Sequence, residues 1–246
     1  MKNICIALLI LMFSYVAAQE KTQFSLLESS HTGVTFDNKI VDSKDQNILL
    51  YANFYGGAGV GVGDFNNDGL IDVYFAGNLV ADELYFNQGD FKFKNVTKEA
   101  GITDDENWST GVSVADVNAD GWLDIYVTKE LYDHQPKRRR NKLYINQGNG
   151  HFVEMAKAYG VDDPARTRQA TFLDYNKDGF VDLFVLNQPP NPGSYSEFFG
   201  AKLLLDKYTS RLYENVEGKK FKDVTVEAGL MKPGFPNGVS ASDLNN

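Results

Sequence analysis

The chain is predicted to be an all-β protein, a propeller of four-stranded blades that is incomplete at about three blades plus the start of a fourth. Three observations predict this. An acidic nine-residue loop recurs, the landmarks between its copies keep fixed spacing, and short alternating runs flank each copy.

The first loop runs from Asp64 through Asn66, Asp68, Gly69 and Leu70 to Asp72, with side-chain oxygens at positions 1, 3, 5 and 9 and glycine at position 6. Alternate residues of a tight turn point into one hollow. Asp64, Asn66, Asp68 and Asp72 can therefore surround one ion, and the carbonyl of Leu70 can complete the shell. Hard oxygen donors in this number suit Ca²⁺, and the glycine permits the sharp bend. The same letters return as Asp116, Asn118, Asp120 and Asp124 with the carbonyl of Trp122, and as Asp174, Asn176, Asp178 and Asp182 with the carbonyl of Phe180. A further copy opens with Asp243 and Asn245, next to the last residue. These are not EF-hands, which need a glutamate at position 12 and flanking helices. Position 12 here is Phe75, Val127 or Val185, each inside a strand-like run.

Loop starts at 64, 116, 174 and 243 give periods of 52, 58 and 69 residues. After each complete loop comes a strand, then a Leu-Tyr pair at 84–85, 143–144 and 212–213. A Phe follows at 93, 152 and 221, and a Gly at 101, 160 and 229. Only the interval from the last loop aspartate to the Tyr varies, at 13, 20 and 31 residues. Four short strands with fixed turns and one elastic connection make a propeller blade. Its strands are A before the loop, B after it, C through Leu-Tyr and D through the Phe. Phe24 and Gly33-Val34 resemble an isolated D strand, as a closure strand would.

Residues 1–18 read as a signal peptide, with Lys2, an apolar segment from Ile4 to Phe13, and small residues before cleavage near Ala18. The apolar run is shorter than the roughly 20 residues a membrane span requires. Secretion, or a cell-surface or periplasmic location, is expected, with no transmembrane segment after cleavage. Residues 19–246 then form the propeller, with repeats starting near 57, 110, 168 and 237. The mature chain has no cysteine, so calcium rather than disulfides would be its staple. A net charge of −9 argues against nucleic acid as a partner.

The stretches Gly57–Gly69 and Phe93–Ile102 are close to the signatures of the FG-GAP/VCBS-repeat family of calcium-loop propellers, and the chain resembles that family. More narrowly it is similar to secreted proteins of the UnbV/cartilage-acidic-protein type. The resemblance implies that the loop side chains named above bind Ca²⁺. Members are longer, often with seven blades, so the chain is expected to be an N-terminal part whose remaining blades come from further C-terminal sequence. It also implies an exported module that binds a protein or glycan. The alternative is the propeller part of a carbohydrate-active enzyme such as a polysaccharide lyase.

Strands of a blade alternate in direction, so the A–B loops and C–D hairpins share one face of the disc. The B–C loops and D–A crossovers share the other. All length variation falls in the B–C loops, and insertion-tolerant loops on a rigid scaffold are where recognition resides. Trp108, Arg166, Arg168 and Tyr195 on that face are the candidate ligand residues. The basic run Lys137–Arg140 is read as a solvated face, and Asn95-Val96-Thr97 as a D-strand motif rather than a glycosylation site.

Overall fold

A computed structural model describes residues 24–242, apart from 52, 104–106, 132–135, 190–207, 233 and 235. The signal-peptide segment, Tyr195, Asp243 and Asn245 lie outside the described residues. Each complete repeat folds into a four-stranded antiparallel sheet whose strands pair in sequence order. The first blade comprises β1 (Val60–Gly63), β2 (Asp72–Phe75), β3 (Glu83–Asn87) and β4 (Phe93–Asn95). The second comprises β5 (Ser109–Ala115), β6 (Asp124–Lys129), β7 (Lys142–Asn146) and β8 (Phe152–Glu154). The third comprises β9 (Arg166–Leu173), β10 (Asp182–Gln188), β11 (Arg211–Val216) and β12 (Lys220–Asp223). Two single α-helical turns, α1 (Ser29–Thr32) and α2 (Ala156–Tyr159), and a 3-10 turn at Pro136–Arg139 complete the described elements.

The acidic loops are the A–B turns. Gly63 pairs with Asp72, Ala115 with Asp124 and Leu173 with Asp182, so each loop closes its hairpin directly. Gly69, Gly121 and Gly179 take φ of 85°, 88° and 91°, where a Cβ is disfavoured.

Apolar side chains pack between blades. Phe65, Tyr74, Leu84, Ile125, Val127 and Tyr144 lie in one buried cluster spanning the first two blades. Val117, Tyr126, Leu143, Leu183 and Tyr213 lie in another that spans the second and third. Every residue of β6 is buried because a blade covers each of its faces. On β1, by contrast, Val60 and Val62 are 53% and 59% exposed, since no described blade covers that side. The inner strands β1, β5 and β9 are neighbours. A Cβ added at Gly59 would meet Val112 N at 2.7 Å and Gly111 Cα at 2.9 Å, so these backbones approach too closely for side chains.

The N-terminal segment departs from expectation. No strand forms between residues 24 and 51, and Phe24 is 86% exposed. What is preserved is the glycine. Gly33, like Gly101, has positive φ, and a Cβ there would lie 2.6 Å from the carbonyl oxygen of Phe93 in the following blade. Gly101 makes the equivalent approach to Phe152, at 2.7 Å. The segment thus repeats the inter-blade joint without the D-strand ladder.

Candidate functional site

The three loops have one hydrogen-bonding scheme. At position 1, Asp64, Asp116 and Asp174 accept the N–H of position 5 at 3.1 Å through Oδ1. Their Oδ2 accepts from the glycine at 2.8, 2.8 and 3.0 Å. The Oδ1 of Asn66, Asn118 and Asn176 accepts from the same position-5 N–H. Asp68, Asp120 and Asp178 accept from the N–H of Leu70, Trp122 and Phe180. Positions 1, 3 and 5 are thereby gathered at each turn.

Position 9 differs. Asp72, Asp124 and Asp182 are fully buried. One oxygen of each accepts the N–H of the second loop residue, Phe65, Val117 or Tyr175. The other accepts, at 2.8 Å, the N–H of an asparagine at or next to the end of strand C: Asn87, Asn146 or Asn215. These aspartates therefore tie the loop to strand C of their own blade. Burial pushes the Asp72 and Asp124 carboxyls up to about 6 and about 7, against the lowering effect of those backbone donors, and the other loop carboxylates add to the rise. Asp182 is raised for the same reasons.

Among the described residues no group of three or more His, Cys, Asp or Glu is already arranged as a metal site, because the loop carboxylates face the loop's own amides. The donor chemistry nevertheless fits a hard cation. Each loop brings three carboxylates, one amide oxygen and a backbone carbonyl to one turn, with a buried carboxylate whose ionised form lacks a cationic partner. Asp64, Asn66, Asp68, Leu70 and Asp72, with their counterparts in the other two loops, are the residues that could hold it.

The opposite face is not an open surface at its centre. The isolated bridge between Asn78 and Trp108 joins a B–C loop to a D–A crossover, as counting turns predicts. Trp108, however, is 1% exposed and packs against Tyr51 and Phe54. Its candidacy as a ligand residue is corrected accordingly: Tyr51 and Phe54 fold over it, and the ring is core. Arg166 is corrected likewise. It is buried, pairs through Nη2 with Glu130 Oε1 at 3.1 Å, and lies over the Tyr51 ring. Arg168 Nη1 bonds Glu130 Oε2 at 2.8 Å and the Tyr51 hydroxyl at 3.0 Å, but its side chain keeps 20% exposure. The Tyr51 hydroxyl itself donates to Glu130 at 2.5 Å.

Sequence reasoning missed Glu130 and Tyr51. A signal existed: Glu130 stands six residues after Asp124, as Asn78 does after Asp72 and Gln188 after Asp182, and all three are buried polar residues. It also missed the neighbouring cluster of Asp82, Ser109 and Lys129. Lys129 Nζ lies 2.8 Å from Ser109 Oγ and 3.7 Å from Asp82, while Ser109 donates to Asp82 at 3.0 Å. A Ser-Lys pair can serve as nucleophile and base, but both residues are fully buried. They lock the first blade to the second. In the basic run Lys137, Arg138 and Arg140 are exposed, as a solvated face would be, but several of its guanidinium groups are engaged. Arg138 reaches Asn107, Arg139 is buried and donates to the Pro164 carbonyl, and Arg140 pairs with Asp162.

Meander sheets stacked on apolar clusters, with acidic loops as A–B turns, define a β-propeller of the loop-bearing repeat class. The family model for the FG-GAP-like repeat matches residues 44–127 and 134–185, more than half of the chain, and the chain belongs to that family. It is 30% identical over 155 residues to cartilage acidic protein 1 of Mus musculus, covering 57% of this chain and 23% of the relative. The Homo sapiens protein is 30% identical over 145 residues, covering 54% and 21%. A T-cell immunomodulatory protein homolog of Plasmodium falciparum is 26% identical over 187 residues, covering 70% and 25%. The chain thus matches about a quarter or less of the length of these relatives. Among the described residues no helix is long and apolar enough to cross a membrane.

Proposed function

We propose that the chain is an exported, calcium-stabilised propeller module that binds an extracellular protein or glycan. The observation that carries this is the threefold repetition of one oxygen-donor set in one hydrogen-bonded geometry. Calcium, when bound, would neutralise the carboxylates of each loop and stiffen the A–B hairpin. Asp64, Asn66, Asp68 and Asp72, with the Leu70 carbonyl, would hold one ion, and the equivalent residues of the other loops two more. Similarity to proteins named for cartilage supports the extracellular setting. The leader at residues 1–18 and further blades supplied by C-terminal sequence belong to the same proposal. The buried state of Ser109 and Lys129 favours action by presenting a surface rather than by catalysis.

Isothermal titration with Ca²⁺ tests the metal sites. About three sites are expected in the unaltered chain and about two in Asp120→Ala, with the fold retained. A stoichiometry near zero in the unaltered chain would overturn the proposal.

A further inference from the structure

The first residues of β1, β5 and β9, with Gly56–Gly59 leading into β1, surround a cleft of about 280 Å³ on the face away from the acidic loops. Gly57, Ala58, Gly59, Gly111, Arg168 and Gln169 are among its lining residues. Main chain dominates the wall because the strands approach too closely for side chains at Gly59 and Gly111.

The polar groups of the cleft are not equally committed. Thr110 Oγ1 is taken up by Thr128 and by the Thr167 carbonyl. Both ends of the Gln169 amide are bonded to the backbone of Val239. Arg168, the charged member of the lining, differs. Among the described residues its hydrogen bonds leave from Nη1 alone, and its buried Nε has no partner. Glu130 divides its charge between Arg168 and Arg166, so it does not fully offset the Arg168 guanidinium. Donor capacity and positive charge therefore remain beside a small concave space.

With Nη1 committed and Nε buried, Nη2 is the donor left to the cleft, and a charge-assisted bond from it to a carboxylate is stronger than one to a neutral acceptor. The volume lies at the small end of ligand pockets, enough for a terminal group rather than a large ligand. Among the described residues no aromatic ring lines the cleft to stack a sugar, whereas the glycine-rich approach to β1 offers backbone groups to an extended chain. We infer that this cleft captures a carboxylate presented by a peptide, with Arg168 as the binding residue. The inference rests on the reading of the chain as a binding module and gives that module a chemical class of partner.

The test uses the full chain in calcium, with the Arg168 Nε–H resonance identified by its loss in Arg168→Lys. Triglycine presents a terminal carboxylate, a capped Gly-Asp-Gly a side-chain carboxylate, and triglycinamide neither. Saturable shifts of the Nε–H with one of the acids, at Kd of about 1 mM or tighter, and none with the amide, are expected. Whichever acid acts identifies the source of the carboxylate. The variants are read through the backbone amides of Gly57 and Gly59, because Arg168→Lys has no Nε–H. Arg168→Lys keeps a charge beside Glu130 and should weaken binding at least tenfold, as should Ala58→Leu, which adds bulk to the lining. Absence of any shift, an equal response to the amide, unchanged affinity in both variants, or a response to glucuronate alone would overturn the inference. Melting with and without calcium on the same samples separates failure of this cleft from failure of the calcium-module reading.

Discussion

The side-chain amide of Asn146, in the second blade, donates to the carbonyl of Phe65 in the first blade's acidic loop at 2.8 Å. Asn215 makes the same 2.8 Å bond to Val117 one blade further on. Each asparagine also donates to a carbonyl of its own blade, Leu123 or Val181, so one side chain stitches two blades at the level of the loops. Asn146→Ala leaves buried carbonyls without donors and should cost about 1–3 kcal/mol, read from denaturant unfolding. A loss indistinguishable from that of an exposed control such as Lys98→Ala would show that the stitch carries no weight.

The position-5 and position-9 aspartates should behave differently when calcium is withheld. Asp120 is exposed and bonds only within its loop, whereas buried Asp124 holds two backbone N–H groups of its blade. In chelator, Asp124→Ala should lose about 2 kcal/mol or more relative to the unaltered chain, and Asp120→Ala much less. Equal losses in chelator would mean that position 9 has no role beyond metal ligation.

Trp108→Ala should act on stability rather than on recognition. The ring is enclosed by Tyr51 and Phe54, so truncation should cost about 3–5 kcal/mol. Glu130→Ala should cost a similar amount, about 3–5 kcal/mol, because it strands guanidinium groups it now partners. Thermal melting reads both effects; unchanged melting in either variant would place these residues at an open surface after all.

Ala119 sits at position 4 of the second loop with φ of 58°, as Asn67 and Lys177 do in the others at 56° and 61°. A Cβ in this region is strained, and asparagine tolerates it better than alanine. Ala119→Asn should therefore be neutral or stabilising, by up to about 1 kcal/mol, measured by denaturant unfolding. A clear destabilisation would show that Ala119 is held there by packing.

The blades and loops were legible in the sequence because their determinants are local and repeated. Asp-x-Asn-x-Asp-Gly, the Leu-Tyr pair and the Phe recur at spacings that the chain itself displays. The Tyr51–Glu130–Arg168 network was not legible, because it joins residues far apart in sequence, one of them in the N-terminal segment that no repeat resembles. Trp108 was read as surface because it lies in a polar crossover; its burial depends on Tyr51 and Phe54, which carry no repeat signal. Position 9 was read only as part of the donor set, and its second task could not be seen. That task rests on the N–H of a residue 15 positions away in the first blade, 22 in the second and 33 in the third.

Thermal unfolding of the full chain, in excess calcium and in chelator, tests most directly whether the loops are staples. Three carboxylates in each loop repel one another until a cation joins them, so the folded state should bind calcium far better than the unfolded chain. The expected result is a higher melting temperature in calcium, equivalent to about 3–4 kcal/mol at a hundred- to thousandfold excess over Kd if one site dominates. Melting that is the same in calcium and in chelator would contradict it.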